Sequence, residues 1–178
     1  MGLDMNRHLI FSTRFGEAAL IYRARPFAVI KTILPRKNRK ELKASSERDD
    51  WGNPSENEKI LMISGRIIHY FKGNPVRPPW KWMDMDGLTK LQKSVLVATA
   101  DIPYGETRSY KALAEAIDRP RAYRFVGTTL ANNPFPVLIP CHRVIKSNDS
   151  IGRFGGGTDL KRRMIELEAK HAPGIHVI

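Results

Sequence analysis

Three segments near the start of the chain, residues 7–13, 17–23 and 27–34, alternate apolar and polar positions or run apolar with β-branched and aromatic content. That is the pattern of half-buried strands. Arg14-Phe15-Gly16 and Arg25-Pro26 separate them as turns, which predicts a small three-stranded antiparallel sheet. The period then changes. Ile60, Leu61, Ile63, Ile67, Ile68 and Phe71 recur at helical spacing, and Ser55 precedes Glu58 by the three residues of a capping box. Gly73 and Pro75 end the pattern, so a helix is predicted over 56–72. Residues 74–87 hold Pro78, Pro79, Trp80 and Trp82 and read as an extended linker that packs against the protein.

After Asp86 the pattern is helical. Leu88, Leu91, Val95, Leu96 and Thr99 mark one face of a helix that stops before Pro103. Ile102-Pro103-Tyr104-Gly105-Glu106 forms a tight turn. Ser109 is placed to cap a helix through Asp118 with Leu113, Ala114 and Ile117 inward, and a second helix spans Arg121 to Asn132. Asp118-Arg119-Pro120 between them makes a helix-turn-helix. Asn133-Pro134-Phe135-Pro136 cannot continue a helix. Val137-Leu138-Ile139 reads as a short buried strand leading into Pro140-Cys141-His142-Arg143-Val144. A glycine-rich loop follows at 152–157, and Thr158 or Asp159 caps a last helix through Lys170. The fold class predicted is α/β in the α+β sense. Residues 1–85 form a small domain with an antiparallel sheet and a helix, and residues 86–178 a mostly helical domain with the helix-turn-helix.

Composition narrows the setting. The chain has 178 residues, 42 % apolar and 27 % charged, enough for a core without disulfides. No apolar run approaches the ~18 residues of a membrane span, and the first residues lack the apolar stretch of a secretory signal. One cysteine, Cys141, excludes an internal disulfide and a Cys-rich zinc site, so a reduced, intracellular setting is expected. The net charge of +12 points to a polyanion, with nucleic acid the commonest such partner. The excess is +5 in residues 1–50, +2 in 51–85 and +5 in 86–178, so it is no single basic tail. The densest run, Arg36-Lys37-Asn38-Arg39-Lys40, and the polar stretch from Ala44 to Asn57 read as a solvated loop.

Cys141 is the one thiol available for chemistry. A free thiol has a pKa of ~8.5 and is only a few per cent ionised at neutral pH, so a nucleophilic role needs a base or cation beside it. His142 and Arg143 adjoin it, but neighbours on an extended segment point to opposite faces, and contact would need a turn or a bridging water. Adjacency alone leaves a buried structural cysteine and a nucleophile both open.

The wider string Asn133-Pro134-x-Pro136-x-x-Ile139-Pro140-Cys141-His142-Arg143-Val144-Ile145 closely resembles the active-site signature of the O6-alkylguanine-DNA alkyltransferases. Ile102-Pro103-x-Gly105-x-x-x-Ser109-Tyr110-x-x-Leu113-Ala114 resembles the first helix of that family's DNA-binding pair, and Ala122-x-Arg124-x-Val126-Gly127 its recognition helix. Gly152-x-Phe154-x-Gly156-Gly157, Lys161 and Glu168 match its binding loop and final helix. The likeness covers residues 88–170. In the first 85 residues it is one of general character, implying a support domain of ribonuclease H-like type.

The resemblance implies a reaction: irreversible transfer of an alkyl group from O6 of guanine in DNA to Cys141, once per molecule and with no cofactor or metal. It implies that His142 takes the thiol proton through a water, that Glu168 polarises His142, that Tyr110 donates a proton to the departing guanine and that Asn133 ties the recognition helix to the active-site segment. The target base must leave the duplex, and Arg124 is the implied wedge that replaces it. Ser109, Tyr110, Arg121, Ala122 and Thr128 are implied as further DNA contacts. Tyr110, Phe154, Gly155 and Gly156 are implied around the base, along with the carbonyls of Cys141 and Val144. The implied partner is double-stranded DNA carrying O6-alkylguanine, bound by a monomer without a membrane, in the cytoplasm or, in a eukaryote, the nucleus. The chain departs from the family's usual pattern at Phe125, where a small residue is common, and at Arg153-Phe154-Gly155, where Tyr then Ser is common. Three other readings compete: a binding-only relative, in which Trp usually replaces the cysteine; a helix-turn-helix regulator; and a cysteine hydrolase.

Overall fold

A computed structural model describes residues 5–172; the outermost residues of the two expected domains, 1–4 and 173–178, lie outside it. Strands β1 (Arg7–Thr13), β2 (Gly16–Arg23) and β3 (Ala28–Arg36) pair antiparallel, and the two-residue β4 (Asn53–Pro54) joins β1 in parallel, giving the order β3-β2-β1-β4. The three long strands lie where the alternation predicts them. Gly16 opens β2 at φ 122, where a Cβ would collide with the Arg36 carbonyl oxygen. β2 is covered on both faces. Ala18, Leu20 and Tyr22 enter the main core, while Ala19 and Ile21 meet Ile33 and Leu42 in a smaller cluster.

That smaller cluster corrects the reading of 36–57 as a loop. Residues Arg39–Ala44 form a short helix, α1, which presents a single buried residue, Leu42. Asn38 caps it, its Oδ1 accepting from the Glu41 amide at 2.9 Å. A helix with one apolar residue carries no periodic signal, which is why the pattern hid it.

Helix α2 (Glu58–Tyr70) lays Ile60, Ile63, Ile67 and Tyr70 into the core. Its cap is Asn57, whose Oδ1 accepts from the Ile60 amide at 3.1 Å, not Ser55. Ser55 is drawn to the sheet instead, its amide donating to the His8 carbonyl at 3.0 Å. The following linker packs as expected. A 3₁₀ turn at Trp80–Trp82 sets Trp82 edge-on to Phe27 at 5.9 Å, and the Asp84 amide donates to the Val29 carbonyl.

The remaining helices are α3 (Lys90–Ala100), α4 (Tyr110–Ala116), α5 (Tyr123–Ala131) and α6 (Thr158–His171). Two-residue strands β5 (Arg108–Ser109) and β6 (Val144–Ile145) pair in parallel. Ser109 caps α4 as predicted, accepting from the Ala112 amide at 3.0 Å. The helix stops at Ala116, short of the predicted Asp118, because Asp118 takes φ 56. Gly157, at φ 89, precedes α6, and neither Thr158 nor Asp159 caps it; Asp159 lies in the first turn, where it faces the positive end of the helix dipole.

Val137-Leu138-Ile139 is not a strand. The Ile139 amide reaches back to the Phe135 carbonyl at 2.8 Å and Val137 sits at φ 75, so the segment is a buried turn. A β-branched residue at positive φ is strained and needs surrounding structure to hold it. Asn133 does so, its Oδ1 accepting from the Phe135 amide at 2.9 Å and its Nδ2 donating to the Ile139 carbonyl at 3.1 Å. One apolar cluster runs from Phe11 and Leu20 through Ile67 to Val126, Val144 and Met164. A backbone bond from the Thr32 amide to the Pro134 carbonyl, 2.8 Å, joins β3 to the buried turn.

Candidate active site

The buried turn delivers Pro140 into a 3₁₀ turn, Cys141–Arg143, whose three side chains are all buried. An extended segment would send neighbours to opposite faces; the tight turn brings them to one site. His142 Nε2 lies 2.6 Å from Glu168 Oε1 on α6. Arg143 donates through Nε to Glu168 Oε2 at 2.8 Å and through Nη2 to Oε1 at 3.1 Å, and the Gly105 amide donates to Oε2 at 3.0 Å. Burial alone would push the Glu168 carboxyl up, but the hydrogen bonds and charges of His142 and Arg143 outweigh it and hold it down to about 2. Burial pushes the His142 pKa down, so the imidazole is neutral at pH 7. An ionised carboxylate at 2.6 Å requires the imidazole proton on Nε2. Nδ1 then carries the lone pair, and it is buried without a partner among the described residues.

Cys141 is the free thiol, 6 % exposed. Burial pushes its pKa up; the nearby Asn133 side chain and the Lys161 charge pull the other way. Lys161 is fully buried, its own pKa lowered by burial to about 8, and its Nζ donates to the Val144 carbonyl at 2.6 Å. The resting sulfur is thus a thiol, with the Asn133 amide and the Lys161 charge near it and His142 next to it in the same turn. Arranged this way, the residues can carry a proton off sulfur and hold the thiolate that results.

Cys141 opens on a cavity of about 470 Å³ whose wall includes Tyr110, Arg124, Thr128 and Phe154. Tyr110 begins α4; burial and the nearby Cys141 raise its pKa, so it stays a phenol that can donate. Gly152 faces it at φ 72, where a Cβ would stand 3.4 Å from the Tyr110 hydroxyl. Arg124 is exposed on α5, over the Tyr123 ring at 5.9 Å. Thr128 donates from Oγ1 to the Arg124 carbonyl at 3.1 Å. The residues named from sequence therefore fall into three groups. Cys141, His142, Glu168, Asn133 and Tyr110 converge, and Arg124, Thr128 and Phe154 line the cavity. Ser109, Arg121 and Ala122 lie on the helix-turn-helix outside the wall, Ser109 as a cap and Ala122 at the start of α5 without a side-chain cap.

The loop and the carbonyls are more engaged than the sequence suggests. Arg36 reaches from β3 to the Gly155 and Gly156 carbonyls, at 3.3 and 3.5 Å. The Val144 carbonyl accepts from Lys161 and the Cys141 carbonyl from the Val144 amide, leaving each one lone pair for a ligand. Tyr123 and Lys146 also line the cavity and were not singled out from sequence; Arg153, which marks a departure from the family's pattern, lines it too. Tyr70 was missed as well: its hydroxyl is 2.9 Å from His142 Nε2 and donates to Glu168 Oε1 at 2.8 Å. A phenol at the end of the apolar stripe of α2 reads as core, so the sequence offers no signal for it.

The arrangement is that of a buried thiol opening on a cavity beside a helix-turn-helix. Residues 90–170 match the family model described as 6-O-methylguanine DNA methyltransferase, DNA binding domain. The methylated-DNA–protein-cysteine methyltransferase of Methanosarcina barkeri is 42 % identical over 120 residues, which is 67 % of this chain and 73 % of that one. A crystal structure of a Mycobacterium tuberculosis O6-methylguanine methyltransferase superposes with a TM-score of 0.75 at 28 % identity, covering 96 % of both chains. A structure of the Mycobacterium tuberculosis protein in complex with DNA gives 0.75 at 28 % identity over 94 % of this chain and 96 % of that one. The chain belongs to the methylated-DNA–protein-cysteine methyltransferase family.

Proposed function

We propose that the protein repairs DNA by moving an alkyl group, a methyl in the simplest case, from O6 of guanine to Sγ of its own Cys141. The observation that carries the reading is the placement of the Cys141 thiol at the wall of a cavity shared with Tyr110 and Arg124, with the His142–Glu168 pair behind it. His142 Nδ1 receives the thiol proton through a water. The thiolate attacks the alkyl carbon, the C–O bond breaks as the C–S bond forms, and guanine leaves with a proton supplied by Tyr110. The proton held by His142 then returns through solvent to the Tyr110 phenolate, so the net change is a thiol proton exchanged for the alkyl group. A thioether is not readily hydrolysed, so each molecule acts once.

DNA is the partner, and the finer claim is recognition of O6-alkylguanine within the duplex. Flipping the base costs a few kcal/mol, and Arg124 at the cavity mouth fills the gap. Ser109 at the cap of α4, Arg121 and Ala122 in the turn before α5, and Thr128 on α5 contact the DNA backbone. Phe154 stacks on the base, and Gly155 and Gly156 approach it closely. The protein works as a monomer in the cytoplasm, or in the nucleus of a eukaryote. Residues 1–85 form the supporting domain and 86–178 the transferring one.

Mass spectrometry after incubation with duplex DNA containing O6-methylguanine tests the reading. The expected result is a stable gain of one methyl group, mapped to Cys141, in a one-to-one ratio with repaired guanine. Cys141→Ser should show no gain while still binding DNA. Binding without any gain would instead identify a recognition-only relative or a regulator, and repeated turnover a hydrolase.

A further inference from the structure

Among the described residues, the first half of the chain contributes one side chain to the His142–Glu168 pair. Tyr70 closes the last turn of α2, is fully buried, and stands 72 residues before His142. Its oxygen lies 2.9 Å from His142 Nε2 and 2.8 Å from Glu168 Oε1, while those two atoms are 2.6 Å apart. The three polar atoms form a triangle, and proton counting fixes its content. Glu168 is ionised and accepts only, so the proton between Glu168 and His142 belongs to Nε2. The phenol cannot donate to a protonated nitrogen. Its hydrogen therefore goes to Oε1, where Arg143 Nη2 also donates.

We propose that Tyr70 is a positioning residue for the alkyl transfer: its hydroxyl fixes Glu168 Oε1 and with it the His142 tautomer whose free Nδ1 takes the cysteine proton. The proposal rests on the reading of Cys141 as alkyl acceptor. It gives the first half of the chain a part in the chemical step as well as in support. Rings hold the phenol in place, Phe71 at 5.1 Å and Tyr104 at 6.4 Å from it, so the hydroxyl has little freedom to turn away.

The other titratable and charged groups facing the pair among the described residues are Tyr104 from the turn before β5, Arg143 from the 3₁₀ turn, and Lys161 from α6. Against that fixed background, removal of the Tyr70 hydroxyl takes one donor from Oε1. More of the carboxylate charge then acts on His142, and the imidazolium becomes easier to form. Because the reaction needs neutral His142, the acid limb of the rate profile moves to higher pH.

Single-turnover rates of wild type and Tyr70→Phe, on alkylated duplex and on free O6-benzylguanine, between pH 5 and 9, test this. The variant should be slower on both substrates by about tenfold at neutral pH, part of the ~10²-fold or more that a positioned acid–base pair supplies. Its loss should be larger at pH 6 than at pH 8, with DNA affinity unchanged. A folded variant with wild-type rates, or one slowed equally at every pH, overturns the proposal. Should the phenylalanine variant fail to fold, difluorotyrosine at position 70 keeps the ring and strengthens the donor. Its acid limb should move to lower pH, and an unmoved limb overturns the proposal. Failure of the wild type to alkylate Cys141 would refute the function itself, a result distinct from either.

Discussion

Arg124 and Tyr110 line the same cavity, but the proposed reaction uses them at different moments. Arg124, exposed on α5, acts only while the base is being held out of the stack. Arg124→Ala should slow repair of duplex DNA by roughly 30- to 150-fold, the equivalent of ~2–3 kcal/mol, and leave free O6-benzylguanine nearly untouched. Tyr110 donates to the leaving guanine in either substrate, so Tyr110→Phe should slow both. Single-turnover rates at saturating protein separate the two, and equal losses for Arg124→Ala on both substrates would remove it as the wedge. The motif Pro140 to Val144 made Cys141 and His142 legible from sequence. Glu168 came only through the family likeness, because a carboxylate 26 residues from its histidine has no local signature. Tyr70 was not legible at all, since a phenol ending an apolar helical stripe reads as core.

Among the elements, the strands and long helices were readable and their ends less so. Asn57, not Ser55, caps α2, because competition with the sheet edge for the Ser55 backbone is a tertiary effect. Asn57→Ala should cost about 1 kcal/mol and lower the melting temperature by about 2–4 °C. Transfer to Cys141 should not change, because Tyr70 lies at the far end of the helix. A melting temperature equal to wild type would return the cap to Ser55. The segment Val137-Leu138-Ile139 misled for another reason. A short apolar run is the signature of any fully buried segment, and Asn133 bends this one into a turn through two backbone bonds. That bend, not a strand, aims Cys141 at the cavity.

For the molecule as a whole, the buried His142–Glu168–Arg143 cluster should set its acid tolerance. The Glu168 pKa falls from 4.5 to about 2 on folding, so its contribution, roughly 3 kcal/mol, is full above pH 4.5 and lost as pH falls through 2. His142, lowered from 6.5 by burial, starts the decline earlier, since the unfolded chain binds its proton first. Urea midpoints measured downward from pH 7 should therefore fall in two stages. Glu168→Gln should be less stable at pH 7 but flatter below pH 4.5; an unchanged lower stage would place the acid sensitivity elsewhere. The charge of +12 should act on DNA rather than on folding. With about 4–6 phosphates neutralised, log affinity against log salt should slope near −4 to −5. A slope near zero would separate the charge from nucleic-acid binding.

The sequence by itself determined the sheet, the helix pair and the identity of the thiol. Each is written in a local period, a cap or a contiguous string, and local patterns survive without knowledge of the partner. Tertiary structure alone decided which groups surround that thiol. Asn133 acquires its role by bending a loop, Lys161 by burial against a carbonyl, Glu168 by accepting five hydrogen bonds from four residues in three separate parts of the chain, and Tyr70 by the docking of α2 against α6 and the 3₁₀ turn. Proton position and pKa depend on distances between side chains remote in sequence, and those distances exist only once the core that unites both halves has formed.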